Sequence, residues 1–337
     1  MFTKLMMATA LAATATTASA DLSVRNFFSN AALTVDALGV SGAGSGELQA
    51  TAASGSTVLA AYLYTAGIWD GAVSAVNFGG SVFNPASGAT LIPNVNPATT
   101  VRYDVTSIVK PVIDGGAGGT YNFALQELGD NDGSVLVVVY SNASTAGGTA
   151  IILDGELATT GDTTTLNFAG PFTTGDFVMS LASSFSFNGN LSGGTGQVTT
   201  VDVQTSSNPA SRRLTSCAGG NDDGGFLGQN GMLITAGGEG DSTANPNPAC
   251  TLGGEDDELY NLSLGNSANA APFITTGDTF LRLLTRNPSN DDNVFGLFIT
   301  STFAIDNPVN PTVSEPSALA LTGLGLLALA GLRRRRR

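Results

Sequence analysis

The sequence predicts an all-β protein: an antiparallel β-sandwich or jelly roll, preceded by an N-terminal signal peptide and followed by a short C-terminal transmembrane helix. Three observations predict the β body. Short apolar, β-branched and aromatic runs recur along residues 57–303, at the close spacing that many-stranded antiparallel folds show. Clusters of Gly, Asn, Asp and Ser separate the runs, in a chain with 43 glycines and 13 prolines, and such clusters mark turns. Sustained helical periodicity is missing from the body.

The first strands are expected at 57–64, 73–78, 100–105, 120–125 and 134–140. The last holds Val135, Leu136, Val137, Val138 and Val139 in a row, the pattern of a strand buried on both faces. Further strands are expected at 150–153, 163–168, 177–187, 197–204, 232–235, 258–264, 279–285 and 294–303. Between Asp104 and Ile113 a short helix is expected, with Asp104 as cap and Pro111 limiting its length. Residues 205–257 read as a strand-poor insertion, and 305–316 as a Pro/Asn/Ser-rich linker. No repeat of fixed period occurs, which argues against solenoids and propellers. The body, residues 21–304, is long enough for one large β domain or two lobes, 21–170 and 171–304.

Composition excludes several kinds of chemistry. The chain has no histidine, so a Ser-His-Asp triad, a Cys-His pair and an imidazole metal ligand are ruled out. Two cysteines cannot build a four-cysteine zinc site. With 13 basic and 27 acidic residues the formal net charge is −14, and nucleic acid is not an expected partner.

The ends read as addresses. Lys4, the apolar stretch 5–13 and Ala18-Ser19-Ala20 have the order of a secretory signal peptide over residues 1–20. Cleavage after Ala20, before Asp21, is expected, with the Sec translocon and signal peptidase as partners. At the other end, Ser314-Glu315-Pro316 precedes an uncharged apolar run, 317–332, and then Arg333, Arg334, Arg335, Arg336 and Arg337. The 15 residues 318–332 would span roughly 22 Å as a helix, less than the ~30 Å hydrocarbon core. Insertion is therefore marginal, and the arginines are expected to stay in the cytoplasm. Lys4 and the five terminal arginines are six of the 13 basic residues; the body keeps seven, against 26 acidic residues, Glu315 being the other.

The tail resembles the PEP-CTERM sorting signal, which has a Pro-Glu-Pro motif, a short apolar helix and a basic cluster. Glu315 and Pro316 match, Ser314 stands where the first proline is usual, and helix and cluster match well. The resemblance implies processing by an exosortase-type enzyme at the inner membrane of a Gram-negative bacterium. It also implies a final location at the cell surface or in an exopolysaccharide or biofilm matrix. More loosely, the body is similar to an uncharacterised β-rich ectodomain of exported bacterial surface proteins. The similarity rests on 61–64, Arg102–Thr106, 134–140 with Asp154-Gly155, 256–260 and 287–295. It implies a β-rich fold and no activity.

Cys217 and Cys250 both lie in the exported part, where an oxidising compartment lets them pair. Such a bridge would close a loop of about 34 residues and contribute on the order of 3–4 kcal/mol; a free thiol pair is the alternative. Oxygen ligands crowd the loops: Asp130–Asp132, Asn221–Asp223, Glu239 with Asp241, 255–258 and 290–293. Calcium takes six to eight oxygens of this kind. If the two later loops meet, Asp256, Asp257, Asp291 and Asp292 would converge on a calcium ion. The same aspartates would otherwise close turns and keep the protein soluble. Paired carboxylates could also serve a glycoside hydrolase, but Trp69 is the sole tryptophan and no strand-borne pair is visible. Trp69-Asp70-Gly71 reads as a core residue before a turn, or as a sugar platform. The leading expectation is a structural or adhesive surface or matrix protein that is not an enzyme, contacts extracellular polysaccharide, and is held only transiently at the inner membrane. A calcium- or carbohydrate-binding module is the second, and a hydrolase the third.

Overall fold

The computed structural model describes residues 22–68, 71–91, 99–157, 161–184, 199–218, 233–243, 258–287 and 293–308. Strand dominates. In chain order the elements are β1 (Ser23–Ser29), β2 (Ala32–Ala52), β3 (Thr57–Gly67), β4 (Val76–Phe78), β5 (Ser81–Phe83), β6 (Ala89–Thr90), β7 (Thr100–Asp104), α1 (Thr106–Asp114) and β8 (Gly119–Ser141). They continue with β9 (Thr149–Asp154), β10 (Asp162–Asn167), β11 (Phe177–Ser184), β12 (Thr199–Thr205), β13 (Arg212–Ala218), β14 (Ile234–Ala236), β15 (Leu259–Asn261), β16 (Phe280–Arg286) and β17 (Asn293–Ser301). Among the described residues, no helix is long and apolar enough to cross a membrane. The tail, 309–337, lies outside them, as do residues 1–21.

Among the described residues three antiparallel sheets form. The first runs β5-β4-β8-β3-β7-β6, with β2 also on β8; the second runs β1-β9-β17-β11-β14, with β15 on β11; the third runs β10-β16-β12-β13. The second sheet joins β9 to β17, and the third joins β10 to β16.

The largest departure from the expected elements is the β2–β8 ribbon. The Gly-rich stretch 32–52 carries no expected strand, yet it forms one strand of 21 residues. Asp130-Asn131-Asp132-Gly133 is expected to be a turn. Instead it lies within the 23-residue β8, with Asn131 and Asp132 fully buried. The ribbon bends where its register shifts between Gly39 and Gly44, so that the Gln49 backbone N–H donates to Asp36 Oδ2 at 2.5 Å. Glycine lets the fold-over close tightly: a Cβ on Gly46 would sit 2.7 Å from Leu38 Cδ2, and one on Gly44 2.8 Å from Val40 Cγ1, so those side chains would have to shift. Glycine inside a strand marks such close approach as readily as it marks a loop. β13 likewise falls inside the stretch expected to be strand-poor.

Elsewhere the local chemistry is as the sequence indicates. Gly79 and Gly80, at φ 55° and 83°, join β4 to β5, and Phe78 pairs with Ser81. This is the two-residue hairpin turn that demands positive φ at both positions. Asp104 Oδ1 accepts from the Thr106 N–H at 2.9 Å, but the N-cap position falls to Val105, which makes no side-chain cap bond, and α1 runs past Pro111 to Asp114, burying Val109 and Ile113.

Three apolar cores follow from the strand faces. The two halves of the folded ribbon share one core, which includes Leu38, Leu48, Phe123, Leu136 and Val138. A second core joins Val135, Val137 and Val139 of β8 and Tyr64 of β3 to Ala150, Ile152, Phe295 and Phe298 of the second sheet. A third joins Ile151, Leu153, Met179 and Ile299 of the second sheet to Leu166, Val201, Leu281 and Leu283 of the third. Successive residues of β8 and β9 therefore enter different cores, which is why these strands read as unbroken apolar runs.

Candidate functional site

A groove of about 460 Å³ opens where β2 meets β11 and β17. The segment after β14 rims it. Gly237 and Gly238 let that segment press on its neighbours: a Cβ on Gly238 would lie 2.0 Å from the Val35 carbonyl oxygen, and one on Gly237 2.4 Å from the Glu258 backbone. The Glu239 N–H donates to the Val35 carbonyl at 2.9 Å. Its carboxylate accepts from Thr34 Oγ1 at 2.5 Å, from the Thr51 N–H at 3.0 Å and from Thr51 Oγ1 at 2.8 Å. Glu239 thus ties together the two ends of the bent β2. It also covers the strand's free edge, where exposed N–H groups would otherwise invite another strand. On the same edge, the Leu33 N–H donates to Thr300 Oγ1 at 2.9 Å.

Tyr140, Ser180, Asp241 and Thr300 add polar groups, and Leu33, Val178, Leu259 and Phe298 supply apolar wall. Asp241 Oδ2 accepts from the Gly238 N–H. Burial, with the Glu239 charge adding to it, raises the Tyr140 phenol above its usual range. Among the described residues, no lysine or arginine lines the groove. Its volume is that of a small-ligand site, and its chemistry suits hydroxyl-rich or cationic groups over anions.

Two further polar clusters are buried. Asp154 of β9 accepts from Tyr64 Oη at 2.8 Å and pairs with Arg102 Nη1, joining the first sheet to the second. The Arg102 guanidinium also lies 5.7 Å from the centre of the Tyr62 ring, as does that of Arg25. Burial pushes the Tyr64 phenol well above its normal value, and the Asp154 carboxylate adds to the rise. In β8, Glu127 accepts from Asn131 Nδ2 at 2.5 Å and from Ser134 Oγ at 2.6 Å. Burial raises its carboxyl above the ordinary range although both bonds act the other way.

Of the residues singled out in the sequence, Glu239 and Asp241 meet at the groove rim. Asp256, Asp257, Asp291 and Asp292 lie outside the described residues, as do Trp69, Asp70, Cys250, Ala18, Ala20, Asp21, Ser314, Glu315, Pro316 and Arg333–Arg337. Cys217 belongs to β13. Among the described residues, no three acidic, cysteine or histidine side chains cluster as a metal site would require. Thr34, Thr51, Tyr140 and Thr300 carry no local signal; they join the groove only through register. Compared with known proteins, the chain matches no family profile and no curated protein.

Proposed function

We propose that the protein is an exported structural or adhesive component of the cell surface or an exopolysaccharide matrix, with residues 21–304 forming a β-sandwich ectodomain. The single observation that carries this reading is the sequence of the tail: Glu315-Pro316, then a short uncharged apolar run, then five terminal arginines. The N-terminal Lys4, apolar stretch and Ala18-Ser19-Ala20 fit export through the Sec translocon. The way the body uses its acids supports a structural role. Glu239 and Asp36 cap strand-edge N–H groups, Asp154 joins two sheets, and Asp278 holds two turns together.

In this reading an exosortase-type enzyme acts on the tail while 317–332 rests in the inner membrane. Mass spectrometry of the mature protein tests it. The expected result is a chain starting at Asp21 and ending near Pro316, with Arg333–Arg337 gone. Replacing the five arginines by serine should slow maturation; an unchanged rate refutes the sorting step.

The groove favours a second reading, a carbohydrate-binding module, because its lining combines hydroxyls, two carboxylates and a tyrosine without a cation. Glycan-array binding that is lost in Tyr140→Ala would support it. Calcium binding through Asp256, Asp257, Asp291 and Asp292 belongs to the same reading. Calorimetric titration decides it: no heat and no change in melting point removes the metal.

A further inference from the structure

The body has few cations, and the third sheet holds most of them. Arg213, Arg282 and Arg286 are exposed on it. The alternation of β16 places Arg282 and Arg286 on its outer face, because Leu281 and Leu283 point into the core. They stand four residues apart, roughly 13 Å along the strand. Off this sheet Arg102 pairs with Asp154 and Lys110 with Asp114, and Arg25 lies over the Tyr62 ring. On this face Arg213 pairs with Asp202 at 2.8 Å. Arg282 and Arg286 have no ion-pair partner among the described residues, so the face carries surplus positive charge on a chain of net charge −14. Arg282 lies over the Phe280 ring, 5.1 Å from its centre, which favours a defined side-chain orientation. Register places Thr165 and Gln204 on either side of Arg282, and Thr200 beside Arg286.

We infer that this outer face binds an anionic polysaccharide laid across β10, β16 and β12. The inference rests on the proposed matrix location. Sparse guanidiniums match a polymer with well-spaced carboxylates. They do not match a nucleic acid, which carries a charge every ~1.7 Å along a duplex. The hydroxyl and amide groups of Thr165, Gln204 and Thr200 flank the arginines and suit sugar hydroxyls, while Asp202, opposite Leu284 between them, is held by Arg213. A protein partner would need an apolar interface centre, and this face offers only half-buried Phe280 and Leu284.

Polygalacturonate, with neutral dextran as control, tests the inference on the purified protein. The expected result is polygalacturonate binding that weakens as salt rises, with none to dextran. Arg282→Gln/Arg286→Gln should weaken it at least tenfold with an unchanged circular dichroism spectrum. Thr165→Glu, which keeps both arginines, should weaken it similarly, and Arg25→Gln should leave it unchanged. No binding, equal binding to dextran, or full binding by the double variant overturns the inference. So does concentration-dependent self-association in sedimentation that the double variant loses, because the face would then hold a second copy. Fractionation of cells separates this from the matrix reading. An extracellular chain that ignores polygalacturonate refutes the face alone, and a polygalacturonate-binding chain confined to the cytosol refutes the location.

Discussion

The central strands β8 and β9 and the outer strands β12 and β16 share one backbone state and have opposite sequence patterns. In β8, Val135 to Val139 are all buried, and in β9 so are Ala150 to Leu153, because each face meets a different core. In β12, Val201 and Val203 are buried while Thr200, Asp202 and Gln204 are half-exposed. The number of covered faces, more than β propensity, decides whether a strand reads as a run or as an alternation. It also decides how charge is handled. Between central sheets Arg102 has Asp154 and Tyr64 around it, whereas Arg282 on the outer sheet stands in solvent against a ring.

Breaking the central pair should have the largest effect. Arg102→Met leaves Asp154 buried without its cation and should cost about 3–5 kcal/mol, read by urea denaturation. Adding Asp154→Leu should recover much of that loss; additive effects of the two changes would show that they do not act as a pair. Next comes packing. Ile152→Ala, in the core between the first and second sheets, should cost about 3 kcal/mol.

Carboxylates sharpen the contrast at smaller amplitude. Asp278, in the turn before β16, accepts from the N–H groups of Thr275 and Ser207, both at 2.8 Å, and from Ser206 Oγ at 3.0 Å. Burial opposes its charge, yet these donors hold its carboxyl down at about 2. Its stabilisation is therefore present above the unfolded value near ~3.9 and is lost as pH falls through about 2. Glu127 has the opposite sign. Burial raises its carboxyl, so the folded state holds the proton more tightly. That contribution is full below the unfolded value near ~4.3 and declines as pH rises through the raised one. Melting temperature against pH should lose its acid limb in Asp278→Asn and flatten on the alkaline side of that window in Glu127→Gln. Smallest of all, Thr165→Ala on the outer face should stay within ~0.5 kcal/mol of the parent. A larger loss would mean that the outer face is covered.

Much of the β architecture is legible in the sequence. The apolar run 135–139, the short helix after Asp104 and the Gly79-Gly80 turn each announce themselves through local chemistry. The bent ribbon does not. Gly42, Gly44 and Gly46 look like a loop; Gly42 takes a positive φ of 98°, and Gly44 and Gly46 pack against Val40 and Leu38. Asp132 looks like a turn residue, and only the continuity of β8 buries it. The groove is legible at Glu239 and Asp241 alone, since Thr51 meets Glu239 from 188 positions away.

By itself, then, the sequence determined many of the strand-forming runs, several glycine turns and the acidic balance, because these depend on neighbouring residues or on totals. Tertiary structure alone decided which strands pair, which acids become buried, and that Arg282 and Arg286 share an open face. Those outcomes come from contacts between distant segments, which local propensity does not encode.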